Sequence, residues 1–349
     1  RTRTGIDRRS KVVVVDGHSA PSVTAGSGGS TANTTAEAFA LGSDILDAAS
    51  GDTTGSSRSD AVPEAVVLSD SAAKLIAADQ LTQATSLLRR ATEIDSAYAR
   101  GFYNLGVAYQ RLNKFADAIK AYKRAITLRP HYYEPAYNLG VLFARMGDDE
   151  NAITWLTKAT EVKHSKEAAP AHYNLGLVYK RMGDLDKAER SYRKALKLNP
   201  GDTRAHFNLS MILTDRKQYR AASQEAKKAL ALGFPKVKAL RHLAYLYSKL
   251  GEDSAAAATY ARAVMADSTD MSSWFNYAVV LSRLGRTDSA VAAYRHALAI
   301  DSNYTAAQYN LALLFADHDQ PDSAIAHYRA AVRSNPSYSR AYYNTALIY

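Results

Sequence analysis

Apolar residues recur along most of this chain with the spacing of amphipathic helices. From Ala65 onward they fall at i, i+3, i+4 and i+7 in short segments that are separated by turn residues. The stretch Ala99–Pro130 contains two such segments, with Gly106 in the first and Ala118 and Tyr122 in the second. This pattern predicts a pair of helices that pack closely against each other.

The small residue at Gly106 returns at a fixed interval. Each step is 34 residues long, except for one step of 36. The series reads Gly106, Gly140, Gly176, Ser210, Ala244, Ala278, Ala312 and Ala346. A fixed period of this length predicts a solenoid of helix–turn–helix units.

Other positions keep the same period, when Ala99 is numbered position 1 of its unit. Position 20 is alanine from Ala84 to Ala324, and position 27 is alanine from Ala91 to Ala331. Position 24 is bulky in most units, at Leu88, Tyr122, Leu156, Tyr192, Tyr260, Tyr294 and Tyr328. Proline at position 32 (Pro130, Pro200 and Pro336) stops the second helix.

These columns resemble the tetratricopeptide repeat family over residues 65–349. The resemblance implies an all-α, right-handed superhelical solenoid of eight full helix–turn–helix repeats and a partial ninth. The repeats are predicted at 65–98, 99–132, 133–168, 169–202, 203–236, 237–270, 271–304 and 305–338, with the partial repeat from 339. The third carries two extra residues near Val162–Ala169, which predict a longer connection.

Residues 1–64 differ in composition from the solenoid. They hold 8 of the 18 glycines and are rich in Ser and Thr, which predicts an extended arm. A short strand is predicted at 12–15 and a short helix at Thr35–Ala49. The arm has a net charge of −2 and the solenoid +12, so we expect the two to attract each other, within one copy or between copies.

Composition narrows the classes of function. The chain has no cysteine, which excludes disulfides and thiolate metal sites, and no apolar run approaches the ~20 residues of a membrane span. A net charge of +10 raises the question of nucleic acid, but the basic residues are spread among acidic ones, so no nucleic-acid partner is expected. The absence of cysteine, the lack of an initiator Met and the arm favour an extracytoplasmic location.

By resemblance, the first helix of each repeat lines a concave groove, with positions 2, 5, 6, 9 and 12 to 13 pointing into it. Position 5 is mostly aromatic and position 6 mostly asparagine, which would suit the side chains and backbone of an extended peptide. The candidate partner-binding residues are Tyr103, Asn104, Tyr137, Asn138, Tyr173, Asn174, Phe207, Asn208, Phe275, Asn276, Tyr309 and Asn310. Two alternatives stay open: the asparagines could bond within the repeats, and the tyrosines could pack against neighbouring repeats.

Position 13 is often basic. Arg111, Arg145, Arg181, Lys249 and Arg283 could form a rim for an acidic partner, or a solvated face that compensates the helix dipole. Members of the family that clamp a carboxylate use Lys and Asn at positions 5 and 9, where this chain has aromatic and aliphatic residues. That activity is therefore not expected.

The sequence offers no catalytic constellation. Ser71-Ala-Ala-Lys74 matches a Ser-x-x-Lys motif without its companion motifs, and the histidines show no metal-ligand spacing. We therefore expect no enzymatic activity, no metal and no cofactor.

Two functions remain as hypotheses. In the first, the solenoid is an interaction scaffold that binds extended segments of other proteins, or the arm of a neighbouring copy, in its groove. In the second, it is a structural subunit of a head-to-tail filament. Self-assembly would use the arm and the C-terminal repeat, at Tyr342, Tyr343, Leu347 and Tyr349.

Overall fold

The chain folds into helices throughout the part that can be described. A computed structural model describes residues 61–162 and 166–349, and these contain 17 α-helices, one 3-10 helix and no strand. The strand predicted at 12–15 and the helix predicted at Thr35–Ala49 lie outside the described residues, as does the rest of the arm up to residue 60.

The helices of the first four repeats are α1 (Pro63–Ala77), α2 (Leu81–Ile94), α3 (Ala99–Arg111), α4 (Phe115–Leu128), α5 (Tyr133–Met146), α6 (Asp149–Val162), α7 (Ala169–Arg181) and α8 (Leu185–Leu198). Those of the later repeats are α9 (Thr203–Asp215), α10 (Tyr219–Ala231), α11 (Lys236–Lys249), α12 (Asp253–Ala266), α13 (Met271–Arg283), α14 (Thr287–Ile300), α15 (Thr305–Asp317), α16 (Pro321–Ser334) and α17 (Ser339–Ile348). Odd-numbered helices open a repeat and even-numbered helices complete it. The predicted all-α tetratricopeptide-type repeat is thereby confirmed for the described residues.

The chain divides into two compact units. The described part of one unit ends at Ala205, and the other runs from His206 to Tyr349, so that the division falls within α9. Repeats 1–4 belong to the first unit and repeats 6–9 to the second. The extra residues of repeat 3 coincide with a 3-10 helix at Lys166–Ala168, just before α7.

Two columns of alanine bring the helices together. Every alanine at positions 20 and 27 is fully buried, and so are the bulky residues at position 24, apart from Tyr260, which is 1% exposed. Because alanine has no side chain beyond Cβ, two helix backbones approach closely there, and the large residue at position 24 fills the space that remains.

Position 8 is small because the ring at position 24 lies directly against it. A Cβ atom added to Gly106 would come within 2.5 Å of the Tyr122 ring, and one added to Gly176 within 2.6 Å of the Tyr192 ring. The series of small residues therefore records one helix–helix contact per repeat.

The turn between the two helices of a repeat has the same backbone in every full repeat. Its position 15 adopts a left-handed conformation at Asp79, Asn113, Gly147, Gly183, Lys217, Gly251, Gly285 and Asp319. Glycine occupies this position at four of the turns, where the absence of a Cβ atom allows the left-handed conformation. The other four turns place Asp, Asn or Lys there, which shows that the turn is maintained by the packing of the helices as well as by glycine.

Two tyrosines at position 24 differ in their hydroxyl groups. Tyr122 donates a 2.7 Å hydrogen bond to Gln110 Oε1, whereas the buried Tyr192 hydroxyl has no hydrogen-bond partner. We expect Tyr122→Phe to lower the free energy of unfolding by about 1–3 kcal/mol, because it leaves a buried amide oxygen without a donor. Tyr192→Phe should change it by less than about 0.5 kcal/mol. Urea denaturation followed by circular dichroism measures both free energies of unfolding. Equal losses in the two variants would contradict a stabilising role for the Tyr122–Gln110 hydrogen bond.

The same pair predicts a dependence on alkaline pH. Burial raises the pKa of Tyr192 well above its ordinary value, so the folded protein keeps this phenol protonated while the unfolded chain ionises it at a pH of about 10. The contribution of Tyr192 to stability is therefore complete below that pH and declines above it. Relative to the unmodified protein, Tyr192→Phe should therefore gain stability between pH 7 and pH 11, which urea denaturation at the two pH values measures.

Candidate functional site

Within each unit, the first helices of successive repeats lie closer together than the second helices do. Contacts join α1 to α3, α3 to α5 and α5 to α7 in one unit, and α11 to α13 and α13 to α15 in the other. The second helices of neighbouring repeats make fewer contacts within either unit. The first helices therefore form the inner surface of each unit, as the family resemblance implies.

The aromatic residues at position 5 are drawn into the contacts between helices. Tyr103, Tyr173, Phe207, Phe275 and Tyr309 are all at most 6% exposed. The rings of Tyr309 and Tyr328 lie 5.7 Å apart, and those of Tyr309 and Tyr338 lie 5.1 Å apart, which makes a cluster of position 5, position 24 and the residue that precedes the next repeat. Phe275, Tyr294 and Tyr304 repeat this arrangement, at 6.0 and 5.0 Å from the Phe275 ring.

Burial also changes the acid–base behaviour of these phenols. Removal from water raises the pKa of Tyr103, and the nearby charge of Glu134 adds to the increase. The phenol is therefore neutral at any physiological pH.

Three asparagines at position 6 bond to the preceding repeat, whereas Asn276 Nδ2 donates to the Ser272 carbonyl of its own helix at 3.0 Å. Asn174 Nδ2 donates to the Tyr137 hydroxyl at 2.9 Å, and Asn344 Nδ2 donates to the Tyr309 hydroxyl at 3.1 Å. Asn104 Nδ2 makes the corresponding bond to Ser69 Oγ at 3.0 Å. Asn104, Asn138, Asn174, Asn276 and Asn310 are all at most 6% exposed. The sequence left open whether these asparagines contact a peptide or bond within the solenoid. Bonding within the solenoid accounts for the placement of these side chains.

Repeat 6 replaces this scheme with another buried polar contact to repeat 5. His242 takes position 6 of repeat 6, and its Nε2 lies 2.8 Å from Ser210 Oγ, which in turn donates to the Ala222 carbonyl at 2.8 Å. Arg241 takes position 5 and pairs with Asp270 at 2.7 Å. Repeat 6 therefore lacks the aromatic–asparagine pair in its sequence, and its contacts with the neighbouring repeats differ accordingly.

Some inner-surface side chains of the first unit remain partly exposed. Val107 and Leu177 at position 9 are half-buried, as is Tyr137 at position 5. Arg100 and Arg204 stand at position 2, and the Arg204 guanidinium lies 5.1 Å from the centre of the Tyr173 ring. We call these five residues the inner track.

Arg100 and Arg204 were missed by the sequence analysis. The signal for Arg204 is a cation 31 residues after the position-5 aromatic of the preceding repeat, which is Tyr173. Phe207 and Lys238 repeat that spacing, and the Lys238 ammonium lies 5.4 Å from the Phe207 ring centre. Arg100 lies 3.4 Å from Asp70, which places its charge beside the first repeat.

Three arginines of the predicted basic rim form hydrogen bonds and ion pairs with the preceding repeat. Arg181 donates to the Ala144 carbonyl at 2.9 Å and pairs with Asp149. Arg111 contacts the Ile76 carbonyl and pairs with Asp79 at 2.8 Å.

Arg283 completes the set, because it contacts Ser248 Oγ at 2.6 Å and pairs with Asp253. We call this contact of Arg111, Arg181 and Arg283 with the preceding repeat the arginine clasp. Of the other two rim residues, Arg145 is exposed, and the Lys249 ammonium lies 5.0 Å from the Tyr245 ring centre. In the repeats before Arg145 and Lys249, position 15 or 17 offers no carboxylate.

Helix α17 presents aromatic side chains at the surface. Tyr342, Tyr343 and Tyr349 are 52%, 55% and 80% exposed, and Leu347 is half-buried. The Tyr349 hydroxyl accepts a 2.7 Å bond from Arg329.

The described residues were also searched for other kinds of site. Over 61–162 and 166–349, no three His, Asp or Glu side chains come together as metal ligands would. No helix in those ranges is both long enough and apolar enough to cross a bilayer.

Comparison with protein families identifies the repeat. Models described as tetratricopeptide repeat match residues 99–132 and 169–202, residues 133–164, 237–270 and 272–304, and residues 309–349. Together these matches cover more than half of the chain. No curated protein matches the chain as a whole.

Solved structures are similar in fold. YrrB, described as a TPR protein with an unusual peptide-binding site, is 23% identical in sequence, and the superposition has a TM-score of 0.49. The match covers 55% of this chain and 97% of YrrB. A MamA structure is 21% identical, with a TM-score of 0.47 over 49% of this chain and 94% of its own. PilF of Pseudomonas aeruginosa is 20% identical, with a TM-score of 0.53 over 60% of this chain and 95% of its own.

The arginine clasp predicts a difference between two arginines at the same position. Arg181→Gln should lower the free energy of unfolding by about 1 kcal/mol, because it removes a charged bond to Asp149 and the donor to the Ala144 carbonyl. Arg145→Gln is the matched control and should change it by less than about 0.5 kcal/mol. Urea denaturation measures both, and Asp149→Asn completes a double-mutant cycle. Equal effects of the two arginine variants would show that the clasp adds no stability.

Proposed function

Because the chain belongs to the tetratricopeptide repeat family, we propose that it is a non-catalytic interaction module that binds an extended peptide of another protein along the inner surface of its first unit. The observation that carries this proposal is the inner track. There, apolar surface at Val107, Tyr137 and Leu177 stays partly exposed between two arginines.

The chemistry of the inner track indicates what the peptide should contain. Half-buried aliphatic and aromatic side chains gain free energy when apolar groups cover them. Guanidinium groups at Arg100 and Arg204 favour carboxylates or backbone carbonyls of the peptide. In this proposal the buried aromatic and asparagine residues at positions 5 and 6 act indirectly, since they fix the helices that present the track.

Selection from a random dodecapeptide phage library on the immobilised chain tests the proposal. Peptides that are enriched would be synthesised with a fluorescent label, and their affinity measured by fluorescence polarisation. Leu177→Glu, which places a charge in the middle of the inner track, should weaken binding at least tenfold.

Met265→Glu is the matched control for this charge. Met265 is 85% exposed on α12, a second helix, so its variant should bind as the unmodified chain does. Circular dichroism confirms that both variants are folded. Selected peptides whose affinity is unaffected by Leu177→Glu would contradict the assignment to the inner track.

Self-association is a second candidate function, favoured by the exposed tyrosines of α17. Aromatic side chains with polar tips are typical of protein interfaces, and Tyr342 and Tyr343 lie next to each other in the sequence at the surface. In this proposal α17 packs against another copy of the chain, and head-to-tail repetition of the contact would build a filament.

Light scattering and electron microscopy of the full chain test self-association. Particles larger than a monomer at micromolar concentration should dissociate in Tyr342→Ser/Tyr343→Ser. Met146→Ser/Met182→Ser is the matched control, since both methionines are 51% exposed on other helices. A monomer at every concentration would exclude this function.

A further inference from the structure

The connection between repeats 5 and 6 is built differently from the other connections between repeats. Most second helices end at a residue with extended backbone, such as Asp267 or Asn335. Helix α10 instead ends with Leu232 followed by Gly233, which has a left-handed φ of +92°, and Pro235 precedes α11. Helix α10 is thus followed by a left-handed residue, as the first helix of each repeat is. The connection therefore turns more sharply than the others.

The sharper turn brings an aromatic residue into the connection. Phe234 stacks on Phe207, with ring centres 4.2 Å apart and planes at 12°. The Phe234 backbone N–H donates to the Ala229 carbonyl at 2.9 Å, which fixes the connection against the end of α10. Leu232, one residue before the glycine, is 46% exposed.

A cleft opens beside this connection, between α10, α11 and α12. Its volume is about 650 Å³, and its floor includes Leu230, Phe234, Leu243 and Tyr247. Leu243 is buried and the other three are half-buried, so the floor is apolar and partly accessible. This volume lies in the range of sites that accept a ligand or several side chains of a partner.

The rim of the cleft is cationic. Lys227, Lys236 and Arg262 border it, and no Asp or Glu is among its lining residues. The Lys227 ammonium lies 5.2 Å from the centre of the Tyr247 ring. Within the described part of the chain, Lys236 and Arg262 form no ion pair. Three positive charges therefore border one apolar floor without a carboxylate between them.

The nearest acidic groups are already engaged elsewhere. Glu225 on α10 lies 2.6 Å from His206 Nδ1 and 2.8 Å from Lys228 Nζ. On the other side of Lys236, a neighbouring depression is lined by Asp267 and Asp270. Asp270 pairs with Arg241 there, and Asp267 accepts bonds from Thr269. Asp267 and Asp270 line that depression and Glu225 pairs on α10, so none of the three is among the lining residues of the first cleft.

We propose that this cleft binds a short acidic segment of a partner protein, which places a bulky apolar side chain on the Leu243–Tyr247 floor and its carboxylates against Lys236 and Arg262. Charge complementarity selects the class of partner, because three cations without carboxylates attract an anionic chain. The partner also needs an apolar side chain, because a purely polar anion would leave the apolar floor uncovered. This site lies where α10, α11 and α12 meet, and none of its lining residues belongs to the inner track.

Fluorescence polarisation with defined probes tests the proposal on the full chain. The probe is a labelled dodecapeptide of Asp and Glu with Leu-Phe at its centre. Two comparison peptides replace Leu-Phe with Ser-Gly or replace the acidic residues with Lys. The acidic Leu-Phe peptide should bind at least tenfold more tightly than either comparison peptide.

Charge-reversal variants locate the binding. Lys236→Glu/Arg262→Glu should weaken the probe at least tenfold, while the control Lys194→Glu/Lys197→Glu, with the same change of net charge on exposed residues of α8, should weaken it much less. Equal loss in both variants, or equal binding of the Ser-Gly peptide, would reduce the effect to general attraction of anions and overturn the proposal. Absence of probe binding at millimolar concentration would overturn it as well.

A second measurement does not depend on the folding of any variant. A photoreactive benzoyl-phenylalanine in place of Phe in the probe should cross-link the unmodified chain within residues 227–262, identified by mass spectrometry. Cross-links confined to the inner track would overturn the proposal and would instead support peptide binding by the first helices. Cross-links on α17 would overturn it in favour of the self-association surface.

Discussion

Most repeats depend on a bulky side chain, usually a tyrosine ring, that fits against a position with a small residue. The Tyr122 ring occupies the space in which a Cβ atom of Gly106 would lie. In repeat 5 the ring is replaced by Ala226, and Ser210 takes the small position, with its hydroxyl bonded to a backbone carbonyl. This fit sets the distance between the two helices, and the distance decides which residues of the next repeat can reach the interface.

The close packing of the helices also determines which side chains remain exposed for a partner to bind. Aromatic residues that could have lined a groove are used to join one repeat to the next, because their large apolar area is most stabilising when it is fully covered. Residues at the edges of that contact remain, such as Leu177 at position 9 and Arg204 at position 2. Surfaces that can bind are therefore found where the repeating contact is incomplete or altered, as it is beside Gly233.

Helix positions and their period could be predicted because every helix carries its burial pattern in the sequence. Exposure at a given position could not, because tyrosine suits both an interior and a surface. Tyr103 and Tyr137 share a position, yet the first is 5% exposed and the second is half-buried. The rim arginines did carry a signal: Arg111 follows Asp79 by 32 residues, while no acidic residue stands at that spacing before Arg145.

The arginine clasp makes the repeats unequal in a way that their shared helices do not. Arg181 finds a carboxylate because repeat 3 precedes it; after repeat 2, it would meet Phe115 at the position where Asp149 now stands. A gene that lost, gained or exchanged one helix pair would keep the period of the chain and yet mismatch charges at the new junction. The ion pairs of the clasp therefore depend on which repeat precedes each arginine.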